Sequence, residues 1–252
     1  LHVPETCARC HADEKLMKGR LPTNQLVQYK TSVHGKLLFE NGDTSAPQCA
    51  TCHGNHGAMP PGVSAVHHIC GVCHVQHDEN FVKSTHFEVF AEKKYPDCVM
   101  CHGNHGIQHP TDAFLSAEKG APCMTCHLVG DHCYNAVGRM RGGLEEVESG
   151  LVRAQAVLKE AEMKGMGVQK AIFSLEAVRD HLTRARIKIH QFNASVVEEE
   201  LKAANDAIHQ AEEKGRQALH DWQARRWGLV LALGFIFLAI FALILKIRRL
   251  GP

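Results

Sequence analysis

The chain has 252 residues, 28 Lys and Arg against 27 Asp and Glu, and a formal net charge of +1. That balance excludes a nucleic-acid binder built on a strongly basic face, and the length suits one large domain or two small ones. The 11 Cys and 19 His are many for a globular chain and do not suggest disorder.

The first element is a run of cysteine pairs. Cys7 and Cys10, Cys49 and Cys52, Cys70 and Cys73, Cys98 and Cys101, and Cys123 and Cys126 form five Cys-x-x-Cys pairs, with only Cys133 left over. The residue after each pair is histidine: His11, His53, His74, His102 and His127. Cys-x-x-Cys-His is the attachment site of c-type haem. Two thiols add to the porphyrin vinyl groups, and the adjacent imidazole is held beneath the iron. A disulfide framework does not call for His after each pair. Zinc ribbons do not need this uniform His, and no βαβ pattern accompanies the pairs as a thioredoxin-like motif would require. The spacing therefore predicts five covalently attached haem c groups. Cys133 has neither a paired Cys nor a following His and is expected to be a thiol outside the haem sites.

Residues 1–135 hold few long apolar runs and many Gly and Pro, a poor basis for a protein core. Five porphyrins would supply the missing apolar surface. The region also repeats. Ser32-Val33-His34 leads to Cys49-Ala50-Thr51-Cys52-His53-Gly54-Asn55-His56-Gly57 and then to Cys70–His74. Ser84-Thr85-His86 leads likewise to Cys98-Val99-Met100-Cys101-His102-Gly103-Asn104-His105-Gly106 and then to Cys123–His127. One leading motif is thus followed by two copies of a two-haem module. A second axial ligand decides whether a haem iron binds substrate or only passes electrons. His34 and His86 occupy equivalent places upstream of each module and are candidate distal ligands. His56 and His105 also recur, too close to cap their own haem but able to cap a neighbour. His68, His109 and His132 are weaker candidates.

These modules resemble the multihaem c-type cytochromes of respiratory bacteria with doubled Cys-x-x-Cys-His motifs. The resemblance covers about residues 1–135. It implies stacked haems in near contact, mostly with two axial His, working as a wire. It does not identify the two ends.

After Gly142-Gly143 the pattern changes to a helical one. Leu144, Val147, Leu151, Ala154, Leu158 and Ala161 form a heptad seam. Gly165-Met166-Gly167 interrupts it. Leu175, Val178, Leu182, Ala185, Ile189, Phe192 and Val196 form a second seam. Asn193 suits a helix end, and Ser195-Val196-Val197-Glu198 reads as a capping box opening a third helix, with Leu201, Ala204, Ile208 and Ala211 on one side. Three such helices suggest a small bundle or a hairpin plus stalk. The stretch Ala185–Asn193 is similar to the C-terminal helices of cytochrome c nitrite reductases and hydroxylamine oxidoreductases. That resemblance implies that His190 is a further candidate distal ligand. The chain is far shorter than those enzymes and has no Cys-x-x-Cys-Lys motif, so a nitrite reductase active site is not expected.

Trp227–Leu245 contains no charge. Nineteen helical residues span about 28 Å, enough to cross the hydrocarbon core. Trp222 and Trp227 lie at one end as interfacial anchors, with Arg225 and Arg226 beside them; Lys246, Arg248 and Arg249 lie at the other. The charges nearly balance, and haem chemistry decides the orientation. Covalent attachment belongs to the outer side of the bacterial inner membrane, so the haem domain is expected in the periplasm and the C-terminus in the cytoplasm. A leader is expected to have been cleaved ahead of Leu1.

The expected fold is mostly α. It comprises a loop-rich pentahaem domain at 1–137, a heptad-patterned bundle or stalk at 138–226, a transmembrane helix at 227–247 and a tail at 248–252. The expected function is electron relay between a quinol-linked integral-membrane partner and periplasmic carriers, other cytochromes or reductases, as a subunit of a respiratory complex. The alternative is a reductase or oxidase of small nitrogen or sulfur compounds with one five-coordinate haem.

Overall fold

The computed structural model describes residues 2–54, 64–65 and 68–251. The chain is mostly helical, with no strand among the described residues. It divides into two compact units. The first comprises Leu1–Gly143 with Ala185–Glu198, and the second Leu144–Arg184 with Glu199–Pro252.

The first unit is built from short helices: α1 (Val3–His11), α2 (Glu14–Met17), α3 (Gln25–Thr31), α4 (Val33–Phe39), α5 (Cys49–His53), α6 (Cys70–Cys73), α7 (Val75–Val82), α8 (Thr85–Lys93) and α9 (Asp97–His102), with single 3₁₀ turns at Asp112–Phe114 and Cys123–Thr125. Its apolar core is sparse. Between residues 2 and 131 the buried hydrophobic side chains among the described residues are Pro4, Leu38, Ala46, Phe81, Phe90 and Leu115. So small a set is thin support for about 130 residues.

Both Ser-x-His repeats start a helix by the same device. Ser32 Oγ accepts from the Gly35 N–H at 3.0 Å and donates to the Tyr29 carbonyl at 2.6 Å. Ser84 Oγ accepts from Phe87 N–H at 3.3 Å and donates to the Phe81 carbonyl at 2.6 Å. Both serines are buried N-caps. Each cap fixes the imidazole two residues later, His34 or His86, in the first helical turn. The second repeat device is glycine. Gly54 and Gly103 end α5 and α9 with φ of 69° and 73°, values that L side chains adopt only with strain.

Three long helices follow: α10 (His132–Met163), α11 (Gln169–Lys188) and α12 (Ala194–Leu250). The start of α10 lies well before Gly142-Gly143, where the sequence pattern changes. Asp131 explains this, because its carboxylate accepts from the Tyr134 N–H at 2.9 Å and the Leu128 N–H at 3.1 Å. Burial of Val137 and Met140 then carries the helix through its glycines.

In the second unit Leu144, Val147, Ala154, Leu158 and Ala161 are buried, as are Leu175, Val178 and Leu182, and Leu201, Ala204, Ile208 and Ala211. Leu151 is only half-buried. Gly215 allows α12 to approach α10 closely, since a Cβ there would stand 2.7 Å from Val157 Cγ1. Glu200 closes the α11–α12 pair, accepting from His181 at 2.7 Å and Arg184 at 3.1 Å.

The junction at 189–198 differs from the sequence pattern. α11 ends at Lys188 and is followed by a 3₁₀ turn at Ile189–Gln191, with Phe192 at φ 52°. Asn193 opens α12 rather than closing α11; its side-chain carbonyl accepts from the Ser195 N–H at 3.1 Å. Val197, not Val196, is buried in this turn, together with Ala194. A short carboxamide competes well at an N-cap, and it starts the helix before Ser195 is reached. From there α12 runs unbroken to Leu250. Its apolar part has a mean hydropathy of 3.0, is not buried, and is long and apolar enough to cross a membrane.

Candidate functional site

The five cysteine motifs lie on tight helical turns. Motifs one, two, three and four sit on α1, α5, α6 and α9, and the fifth on the 3₁₀ turn at Cys123–Thr125. A helical turn puts residues three apart on one side, so each pair of thiols faces the same way.

Thiols of successive motifs adjoin one another in chain order. Cys49 donates to Cys7, and burial with that contact pushes the Cys49 thiol up to about 11. Cys52 lies beside Cys70 and Cys73 and is raised chiefly by burial. Cys98 donates to Cys70; that bond holds the Cys70 thiol down and, with burial, raises Cys98. Cys101, beside Cys123 and Cys126, is pushed up to about 11, mainly by burial. The five motifs therefore form a file, each next to the one that follows. Tyr29 fixes the chain entering the second motif by donating to the Pro47 carbonyl at 2.9 Å. Burial, then Cys49 and Cys52, pushes its phenol up to about 12.

The imidazoles are arranged in pairs. His34 stands opposite His74 with ring centres 6.2 Å apart, His105 opposite His53 at 5.9 Å, His86 opposite His127 at 5.9 Å, and His190 opposite His102 at 6.2 Å. Each of these four pairs joins one motif histidine to one from elsewhere in the chain. Two imidazoles bound to opposite sides of one metal have ring centres roughly 6 Å apart, because each metal–N bond is about 2 Å. All four pairs have that separation. His56 lies outside the described residues. Among the described residues no ring faces His11.

Burial, in each case the first cause, lowers the pKa of His34, His86, His102, His105 and His190, and a neighbouring imidazole adds to it. All five therefore favour the neutral form, which is the form that ligates metal. Two of these, and His127, have further features that suit a ligand. His190 Nδ1 is 3.0 Å from the Ile187 carbonyl, which leaves Nε2 with its lone pair free. His86 has a buried Nδ1 with no protein partner, an expense that a metal bond to the ring would offset. Asp131 Oδ2 lies 3.1 Å from His127 Nδ1 and orients that ring, as a carboxylate does behind a ligating histidine. Cys133 completes a cluster in which the donor atoms of His127, Asp131 and Cys133 lie within 4.8 Å of one another. Its thiol donates to Cys123 and is pushed up to about 11, mainly by burial.

His190 owes its place to long-range contacts within the first unit. Arg186 makes two bonds to the Asp112 carboxylate, at 2.9 and 2.7 Å. Gln191 donates to Asn80 at 2.6 Å. Phe192 packs on the His86 ring with centres 4.2 Å apart. The weaker candidates sit elsewhere: His68 Nδ1 is 2.6 Å from Asp97, and His109 and His132 are exposed.

His77 was not singled out by the sequence pattern. Its ring centre is 5.8 Å from His74 and 4.9 Å from His190, and burial lowers its pKa. The available signal was spacing, since His77 follows His74 by the same three residues that separate His53 from His56 and His102 from His105.

Comparison with protein families, with curated proteins and with solved structures gives no match.

Proposed function

We propose that this chain is a pentahaem c-type cytochrome that relays electrons as the membrane-anchored subunit of a respiratory complex. The observation that carries the proposal is the pairing of four motif imidazoles with four imidazoles from outside the motifs, at a separation that fits one iron between each pair. The repeated cysteine pairs supply the covalent attachment. Haem c, when bound, supplies one-electron chemistry.

In this reading the ten paired cysteines anchor the rings, and His11, His53, His74, His102 and His127 are the proximal ligands. His34, His105, His190 and His86 fill the opposite positions at the third, second, fourth and fifth motifs. A metal held by two imidazoles has no position for a substrate, so the chain's own histidines restrict the protein to passing electrons. The file of motif thiols brings each attachment site beside the next, as a relay requires. Trp227–Leu245 is the anchor in the bacterial inner membrane. The haem domain (1–137) and the heptad-patterned bundle (138–226) lie in the periplasm, and Lys246, Arg248 and Arg249 lie at the cytoplasmic end. The partners are a quinol-linked membrane protein and periplasmic carriers or reductases.

The test is spectroscopic. Intact mass is expected to exceed the 27.8 kDa of the polypeptide by about 3 kDa, the mass of five haems. Wild-type protein is expected to be low-spin, and His34→Ala and His86→Ala each to convert one haem in five to high-spin without losing covalent haem. A mutant that stays wholly low-spin overturns that assignment.

The second reading, a reductase or oxidase with one five-coordinate haem, is tested at the position opposite His11. A high-spin haem in wild type that binds carbon monoxide, unchanged by His56→Ala, would establish an open site there and overturn the simple relay.

A further inference from the structure

The helices of the second unit keep one register along their length. Gly150 lies against Ile208, Gly215 against Val157 and Leu158, and Lys164 against Trp222. Positions 150 and 157 on α10, and 164 just past its end, thus match 208, 215 and 222 on α12, so the two helices run in the same direction, with α11 returning between their ends. The turn joining α10 to α11 is therefore delivered to the level of Trp222, just ahead of the apolar stretch that begins at Trp227.

The groups gathered at that level are cationic and aromatic. Lys164 Nζ stands 4.5 Å from the centre of the Trp222 ring, and the Arg226 guanidinium 4.7 Å from it. Lys164 also pairs with Glu160. Among the described residues Arg225 and Arg226 have no carboxylate partner. Met163, at the end of α10, is exposed although it is apolar. The exposed Met163 and the Trp222 ring with its two cations set apolar and positive groups side by side at this level. Phosphate headgroups above a hydrocarbon layer have the complementary pattern.

We propose that the α10–α11 turn is a second membrane contact: Lys164 and Arg226, clamped on Trp222, and Arg225 bind the phosphate headgroups of anionic phospholipid, and Met163 rests in the interface. The bundle then meets the bilayer at two points, the turn and α12, instead of standing on one helix. The inference rests on reading Trp227–Leu245 as a membrane span, and it does not depend on haem.

The test is hydrogen–deuterium exchange of the full-length, haem-loaded protein in nanodiscs of phosphatidylcholine alone or mixed with phosphatidylglycerol. Amides of 163–169 are expected to exchange several-fold more slowly in the anionic discs. Lys164→Gln with Arg226→Gln is expected to abolish the difference, and Lys164→Arg with Arg226→Lys to retain it. Amides of 229–245 are expected to be protected in every case. Protection of 229–245 with exchange at 163–169 indifferent to lipid charge would overturn the turn contact and leave the span standing. Free exchange at 229–245 would overturn both. Protection at 163–169 that ignores lipid charge but rises with protein concentration would assign the surface to a second copy of the chain.

Discussion

The two units of this protein reach a folded state by opposite means. The second unit buries a row of Leu, Val, Ile and Ala side chains along three helices, so that its stability is carried by hydrophobic burial between side chains. The first has short helices, few buried apolar residues and five cysteine motifs brought into one file. Six of its eight paired imidazoles are half-buried, His53 and His74 are exposed, and among the described residues phenylalanine rings pack on His86 and His102 alone of the eight. The contrast teaches that burial between side chains accounts for the second unit, whereas the first has few such contacts, a gap that haem would fill in the proposed reading.

The largest expected effect separates the units outright. Expression without haem attachment is expected to leave residues 2–131 open to protease while the helices of the second unit resist. Limited proteolysis with mass mapping reads this directly. Equal resistance of both units would break the comparison.

Within the second unit, Leu158→Ala removes a side chain buried to 1% exposure, and it is expected to cost about 2–5 kcal/mol. Thermal unfolding followed by far-ultraviolet circular dichroism measures it. The same protein is expected to keep its haem spectrum unchanged.

Gly215→Val sharpens the point by overfilling instead of emptying. The new Cβ would meet Val157 Cγ1 at 2.7 Å, so α12 must move away from α10. A loss of about 1–3 kcal/mol is expected, read by denaturant titration.

The smallest effect lies in the first unit. Ser84→Ala removes the N-cap of α8, and a loss of about 1 kcal/mol is expected. Because the cap fixes His86, the haem proposed between His86 and His127 is expected to show a broadened low-spin signal in electron paramagnetic resonance. Stability lost with no change in that signal would separate the cap from ligand positioning.

Much of this was legible in the sequence because its signals are local. Ser32 and Ser84 marked His34 and His86 through a repeat that the structure explains as two identical caps. Leu144, Leu158, Leu201 and Ile208 could be placed inside the bundle from periodicity. Asn193 was misread because a helix end and a helix start use the same short carboxamide, and only the neighbouring backbone distinguishes them. The start of α10 was missed because its glycines mask a helix that the Asp131 cap and the burial of Val137 and Met140 sustain. His77 was overlooked because spacing alone gives no preference among many histidines.

The sequence by itself determined the five Cys-x-x-Cys-His motifs, the charge-free stretch from Trp227 to Leu245 and the apolar seams. Each depends on residues a few positions apart, whose relation the covalent chain fixes. Only the tertiary structure decided which imidazole faces which. His105 stands against His53, and His190 stands against His102 because Arg186, Gln191 and Phe192 hold its segment to Asp112, Asn80 and His86. Such pairings join residues tens of positions apart. The entropy of closing a loop changes only slowly with its length, so sequence distance discriminates weakly among partners, and the choice falls to packing and hydrogen bonds that exist only in the folded chain.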